Sequence, residues 1–307
     1  MQFFRKTNID FLSVRRYAYG FSLAVILAGM ISLVVQGFEF GIDFRGGTEL
    51  VLSFDQPPDI GRIRTALGDV GLSQSVIKTF GSEGDILIST TEQAEGMVVG
   101  DRIKEAVGRE YPDAAIEVLK EDKIGPKIGK ELRQSALYAL IASLFAILGY
   151  IAIRFNFIFG VGAVAALFHD VLVALGALSL FGGLFPFLNF EISQEIVAGF
   201  LTLIGVSVND TVVIFDRIRE NMKIYRSMSL TDVINKSLND TLSRTIITQG
   251  TLLLVLIALL VFGGEVTRGF AFTLTIGTIA GTYSSIYVAS AIVVDWRLRK
   301  KTQNPKP

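Results

Sequence analysis

The chain has 307 residues, half of them hydrophobic and only 19% charged, with a mean hydropathy of +0.51, which excludes an ordinary soluble domain and marks a polytopic membrane protein. Formal charge is zero, and the absence of cysteine together with a single histidine, His169, excludes disulfides, thiolate metal sites and multi-histidine metal sites. No phosphate-binding GxxxxGK[ST] loop occurs: the nearest approach, Gly125 to Lys130, is one residue short between its glycines and has Glu131 in place of the hydroxyl, so no cofactor is expected and the energy source is read as a gradient.

Residues 1–16 form a short basic segment. The uncharged run over 17–38 is too long for a signal-peptide core and lacks a small-x-small cleavage pattern, which predicts a retained first span. Residues 39–133 carry twelve Lys/Arg and eighteen Asp/Glu, the composition of a soluble, mildly acidic domain. Within it the alternation predicts strands at Thr48 to Phe54, Gln74 to Phe80, Asp85 to Thr90 and Ala114 to Leu119. Helices lie between them, from an Asp59 cap to Val70 and from Glu92 to Arg109. The order βαββαβ is the ferredoxin-like arrangement, an α+β unit with helices on one face of an antiparallel sheet.

Five more apolar stretches, 134–153, 157–181, 196–218, 245–264 and 269–294, complete an α-helical bundle of six spans, with a loop at 219–244 and a tail at 295–307. Ser229 to Asp232 opens a helix in that loop with a capping-box-like pattern, and Val233, Ile234, Leu238 and Leu242 recur on one side. It is expected to be an amphipathic connector on the membrane surface or against the bundle. Sixteen Lys/Arg fall in the connections on the side of the termini against one, Arg268, in the short connections opposite, which places both termini in the cytoplasm and 39–133 outside.

Polar residues inside the spans are expensive and mark function or helix contacts. Asp210 stands near the middle of its span, roughly 3 kcal/mol unfavourable on insertion scales, with Asn209 and Ser207 beside it. It is either a polar contact between spans or a proton site on a transport pathway. Arg244, at the predicted start of the fifth span, is a chemically suitable partner or an anchor that snorkels to lipid phosphate. His169 and Asp170, pointing about 100° apart on one helix, are read as contacts to neighbouring helices. Gly160-Val-Gly162 and the GxxxG of Gly277 and Gly281 indicate close helix packing.

Several stretches together resemble the SecF family, within the resistance-nodulation-division superfamily: Phe40 to Thr48 (FGIDFRGGT), Phe168 to Val171, Val206 to Asn221, Leu238 to Thr245 and Gly281 to Ser290. The resemblance implies half of a resistance-nodulation-division bundle in the bacterial inner membrane, not an enzyme but a subunit driven by the proton-motive force. It implies pairing with SecD, work with the SecYEG channel on translocating unfolded polypeptide, and YajC as a further partner. No nucleic-acid partner is expected. By motif match it assigns Asp210 and Arg244 to a proton pathway, with Asn209 and Asp170 as further candidates. Asp43, Arg45, Gly46 and Gly47 match an exported motif, read as structure at the base of the first strand or as a contact with substrate. The alternatives are a proton-coupled small-molecule efflux subunit of the same superfamily and a passive assembly subunit.

Overall fold

The computed structural model describes residues 7–37, 39–92, 98–185 and 190–303, without the side chains of residues 265 and 300–303. In chain order it comprises α1 (Arg15–Gln36), a one-turn α2 (Ile42–Arg45), β1 (Gly47–Phe54), α3 (Ile60–Asp69), β2 (Val76–Phe80), β3 (Ser82–Thr90), α4 (Val98–Glu110) and β4 (Ile116–Ile124). The long helices α5 (Pro126–Arg154), α6 (Phe157–Leu184), α7 (Gln194–Ile224) and α8 (Leu230–Phe262) follow. The last helical stretch joins α9 (Gly264–Ser284), a π-turn (Ser285–Ala289) and α10 (Ser290–Gln303). Six of these stretches are long and apolar enough to cross a membrane.

The sheet is antiparallel with order β2-β3-β1-β4, so the inserted unit has the ferredoxin-like topology that its element order implies. Asp59 caps α3 by accepting from the Gly61 amide at 2.7 Å. Leu50 opposes Ile88 and Leu52 opposes Ile86 across β1 and β3, and these four are fully buried under Ile63, Leu67 and Ile103 of the two helices. Every residue of this core lies between Leu50 and Val107. A fragment spanning 47–124 is therefore expected to fold alone and give a mixed α/β circular-dichroism spectrum. A disordered fragment would mean that the unit needs the membrane bundle to hold its shape.

Boundaries differ from the sequence expectation at several elements, β2 starting at Val76 rather than Gln74 and β3 at Ser82 rather than Asp85 among them, and three differences are larger. The strand β4 is expected to end at Leu119, but it continues through the charged Lys120 to Lys123 to Ile124, a stretch whose backbone pairs with Gly47 to Val51 of β1. The second span was expected from 134, yet α5 starts at Pro126, a residue suited to the first turn because its missing N–H is unneeded there. The loop expected at 219–244 is almost wholly helical: α7 runs on to Ile224 and α8 begins at Leu230. Ser229 caps α8 by accepting from the Asp232 amide at 3.1 Å, and this start is continuous with the fifth span rather than a separate surface helix. Val233, Ile234 and Leu238 are buried, and the latter two share a core with Phe215 and Ile218 of α7, so the pair extends beyond the apolar region as one packed unit. The expected helix start at Glu92 runs into residues 93–97, outside the described residues.

Close approaches between helices fall on glycines. Added Cβ atoms at Gly29 of α1 and Gly176 of α6 would meet the opposing backbone at 2.6 and 2.7 Å. Gly277 and Gly281, the GxxxG pair, lie against Leu203 and Ser207 of α7, so that motif serves packing inside the bundle.

The sheet unit is tied to the bundle by the exported motif. The conformations of Gly46 (φ +77°) and Gly47 (φ +151°) turn α2 into β1, and a side chain at 47 would strike the Thr90 carbonyl. Gly129 of α5 lies so close to this turn that its Cβ would stand 2.9 Å from the Gly46 amide. Asp43 accepts from the Gln194 amide at 3.0 Å, adding an acceptor at the first turn of α7. Arg45 is exposed.

Candidate functional site

The centre of the bundle holds a polar network built from the middles of α6, α7 and α8 and the junction of α9 with its π-turn. On α7 the buried face reads Leu203, Ser207, Asp210, Ile214, the three-to-four spacing of one helical stripe. Asp210 is only 4% exposed. Its two oxygens accept from Thr245 Oγ1 of α8 at 3.0 Å and from Ser285 Oγ at 2.8 Å, and the buried Gln249 lies one turn beyond Thr245 on α8.

Asp170, fully buried on α6, has its own set of donors. Ser207 Oγ donates to Oδ2 at 2.5 Å and Ser284 Oγ donates to the same oxygen at 2.8 Å. His169 and Asp170 leave the helix about 100° apart, yet their side chains turn to meet, Nδ1 lying 2.9 Å from Oδ1. The other ring nitrogen of His169 contacts Ser22 Oγ of α1 at 3.1 Å. Ser22 donates to the Tyr283 hydroxyl, and Tyr283 donates to the Ala18 carbonyl at 2.7 Å while its ring stacks on His169.

The two carboxylates are linked twice. Ser207 and Asp210 share one stripe of α7, and the adjacent Ser284 and Ser285 serve Asp170 and Asp210 respectively. The π-turn opens at Ser285, and Ser290 Oγ bonds the Ser285 carbonyl at 2.9 Å, five residues back. Such a turn inserts one residue into the helical repeat, and these turns concentrate at functional positions. It lies where two neighbouring hydroxyls reach two different acids. Gly281 faces both groups: a Cβ there would stand 3.3 Å from Ser207 Oγ and 3.5 Å from Asp170 Oδ2.

Of the four intramembrane candidates, the structure brings Asp210 and Asp170 into the network and leaves Asn209 and Arg244 outside it. Both of the latter are exposed on the bundle surface. Arg244 is not at a helix start, because α8 begins fourteen residues earlier. It makes no contact with Asp210 and acts on it only through space; the neighbouring Thr245 faces the acid. Sequence reasoning named Ser207 but passed over Thr245, Gln249, Ser284 and Ser285 as members of the site. Their signal is faint, since hydroxyl residues occur throughout these spans satisfied by their own helix, as with Thr248 to the Arg244 carbonyl.

This architecture defines a class: a helical membrane protein with one ferredoxin-like unit inserted between its first two spans and acidic residues linked by hydroxyls at mid-bundle. Comparison with known proteins narrows it. Residues 97–299 match the family model described as "Protein export membrane protein SecD/SecF, C-terminal", and residues 31–58 match the "SecD/SecF GG Motif". The chain is 46% identical to the protein translocase subunit SecF of Rhodothermus marinus over 97% of its own length and 96% of that protein, and 45% identical to that of Desulfurispirillum indicum over 95% and 92%. It superposes on the crystal structure of SecDF from Thermus thermophilus with a TM-score of 0.84 and 36% identity, covering 95% of this chain and 39% of that one. A second structure, SecDF in a super-membrane-facing form, matches with a TM-score of 0.72 and 34% identity over 99% and 40%. The chain thus spans about two fifths of the length of those SecDF chains. It belongs to the SecF family of protein translocase subunits.

Proposed function

We propose that this chain is the proton-coupled subunit of a protein-export complex in the bacterial inner membrane, with both termini cytoplasmic, acting with a SecD-like chain and the SecYEG channel to promote late export of polypeptide. YajC joins the same assembly in this reading. The observation that carries it is Asp210: a carboxylate at mid-bundle whose hydrogen-bond donors are the neutral hydroxyls of Thr245 and Ser285. An ionised carboxylate so placed has no contacting cation to offset its desolvation, and a protonated one becomes a donor and forces the hydroxyls around it to turn. The serines pass that rearrangement toward Asp170. Movement of α7 reaches the sheet unit through Asp43, which holds the first turn of that helix. A proton falling through 100 mV releases about 2.3 kcal/mol, enough to bias the unit between two positions.

Pairing with a SecD-like chain is supported by the surface of α7 and α8. Thr202 and Thr251 are exposed but bond the carbonyls of Ala198 and Ile247. Among the described residues Asn209 and Arg244 have no such internal acceptor, and at the level of Asp210 lipid offers none. A partner helix would supply it. Expressed with its SecD-like chain, the protein is expected to co-purify with it, and changing Asn209 and Arg244 together to leucine to lower that recovery at least several-fold. Undiminished recovery of the pair from the double variant would remove this face from the interface.

A further inference from the structure

At the end of the bundle opposite the sheet unit, a cavity of about 530 Å³ opens where the last turns of α5 and α7 meet the start of α6 and α10. Five cations line it: Arg154 closes α5, Arg219 and Lys223 lie one turn apart on α7, Arg226 follows that helix, and Arg297 comes from α10. Among the described residues, no acidic one lines it. Phe155 and Phe159, both buried, form an apolar floor.

Several cations at this end of the molecule are neutralised within the chain. Arg15 pairs with Asp295 at 2.9 Å, Arg217 with Asp240 at 2.8 Å, and Arg154 itself leans to Asp216 at 2.8 Å. Among the described residues, Arg219, Lys223, Arg226 and Arg297 have no carboxylate within ion-pair distance. Like charges gathered from three chain segments repel unless an anion joins them. At the same level the surface is apolar: Ile153 is 91% exposed, and Phe157, 73% exposed, packs edge-on against Trp296 with ring centroids 6.3 Å apart. Aromatic pairs so placed mark the boundary between lipid tails and headgroups.

We propose that this cavity binds the phosphate headgroup of an anionic phospholipid, the guanidinium groups taking the phosphate oxygens and the acyl chains lying along Ile153 and Phe157. Arginine suits the task because its planar fork engages two phosphate oxygens at once. A free phosphate ion shares the headgroup chemistry but makes no use of the apolar rim, which favours the lipid.

The test uses the full chain in detergent, titrated with phosphatidylglycerol and followed by native mass spectrometry. Two double variants remove equal charge from the same end: Arg219→Gln with Arg226→Gln inside the cavity, and Arg16→Gln with Arg299→Gln outside it. Basic residues near a membrane surface contribute comparably, so loss of two predicts about a thirty-fold weaker affinity for the cavity variant. The outer variant and phosphatidylcholine binding should be unaffected. Should the cavity variant fail to elute as a single folded species, Lys223→Gln alone should weaken binding about five-fold. Equal loss in both double variants would reduce the effect to general charge attraction, and equal binding of phosphatidylcholine would remove the headgroup's role. Displacement of the lipid by an equal concentration of inorganic phosphate would make this an ion site. Each of these three results overturns the proposal.

Discussion

Replacing Asp210 with asparagine is expected to abolish the proton-dependent part of export, at least ten-fold in rate, while leaving the bundle folded and inserted. The amide oxygen can still accept from Thr245 or Ser285, and the hydroxyl that then faces the amide nitrogen can rotate to accept from it. Desolvation is eased, because an amide carries no charge at that depth. What is lost is titration. Alanine is a poorer test, since it strands the buried Thr245 hydroxyl at about 1–3 kcal/mol, while Ser285 can still donate to the Thr282 carbonyl, and so confounds function with stability. Export into inverted vesicles with an imposed proton gradient reads the outcome, and an asparagine variant that responds to the gradient as the parent does would end the proton-site reading.

Much of the fold was legible because its signals are periodic. Apolar runs between charges gave the spans, and alternation in TELVLSF and DILIST gave strands that do pair in the sheet. Where periodicity lapses, the reading failed. The end of β4 is invisible because Lys120 to Lys123 pair through backbone, which leaves no mark on side-chain pattern. The start of α8 reads as a separate amphipathic helix, on the membrane surface or against the bundle, because Lys236 and Asp240 interrupt the hydropathy; it does pack against α7, but no glycine or proline lies between Leu230 and Thr245 to separate it from the fifth span. The site was legible in part for a different reason. A carboxylate in an apolar run announces itself, as Asp210 does, but its partners here are serine and threonine, which do not. Opposite charges on adjacent spans suggested that Arg244 contacts Asp210, and a shift of one residue along α8, about 100° of rotation, gives that place to Thr245.

Arg244→Lys is expected to insert and assemble normally and yet lose most proton-dependent export, again by an order of magnitude or more. Were the side chain only an anchor at the interface, lysine would serve, since both residues have long apolar stems and a permanent charge. Arg244 stands fourteen residues into α8, one residue from the contact between Thr245 and Asp210, and is exposed on the bundle face. A guanidinium at that level needs acceptors, and a partner chain is the source the export reading provides. A planar fork can hold a carboxylate of the partner in two hydrogen bonds while its charge acts through space on Asp210; an ammonium is a point charge and does the second without the first. Co-purification and export measured on the same preparation therefore separate the two roles. Normal assembly with failed export supports the forked contact, whereas normal export with lysine would return Arg244 to anchoring and leave Asp210 to work through its hydroxyl partners alone.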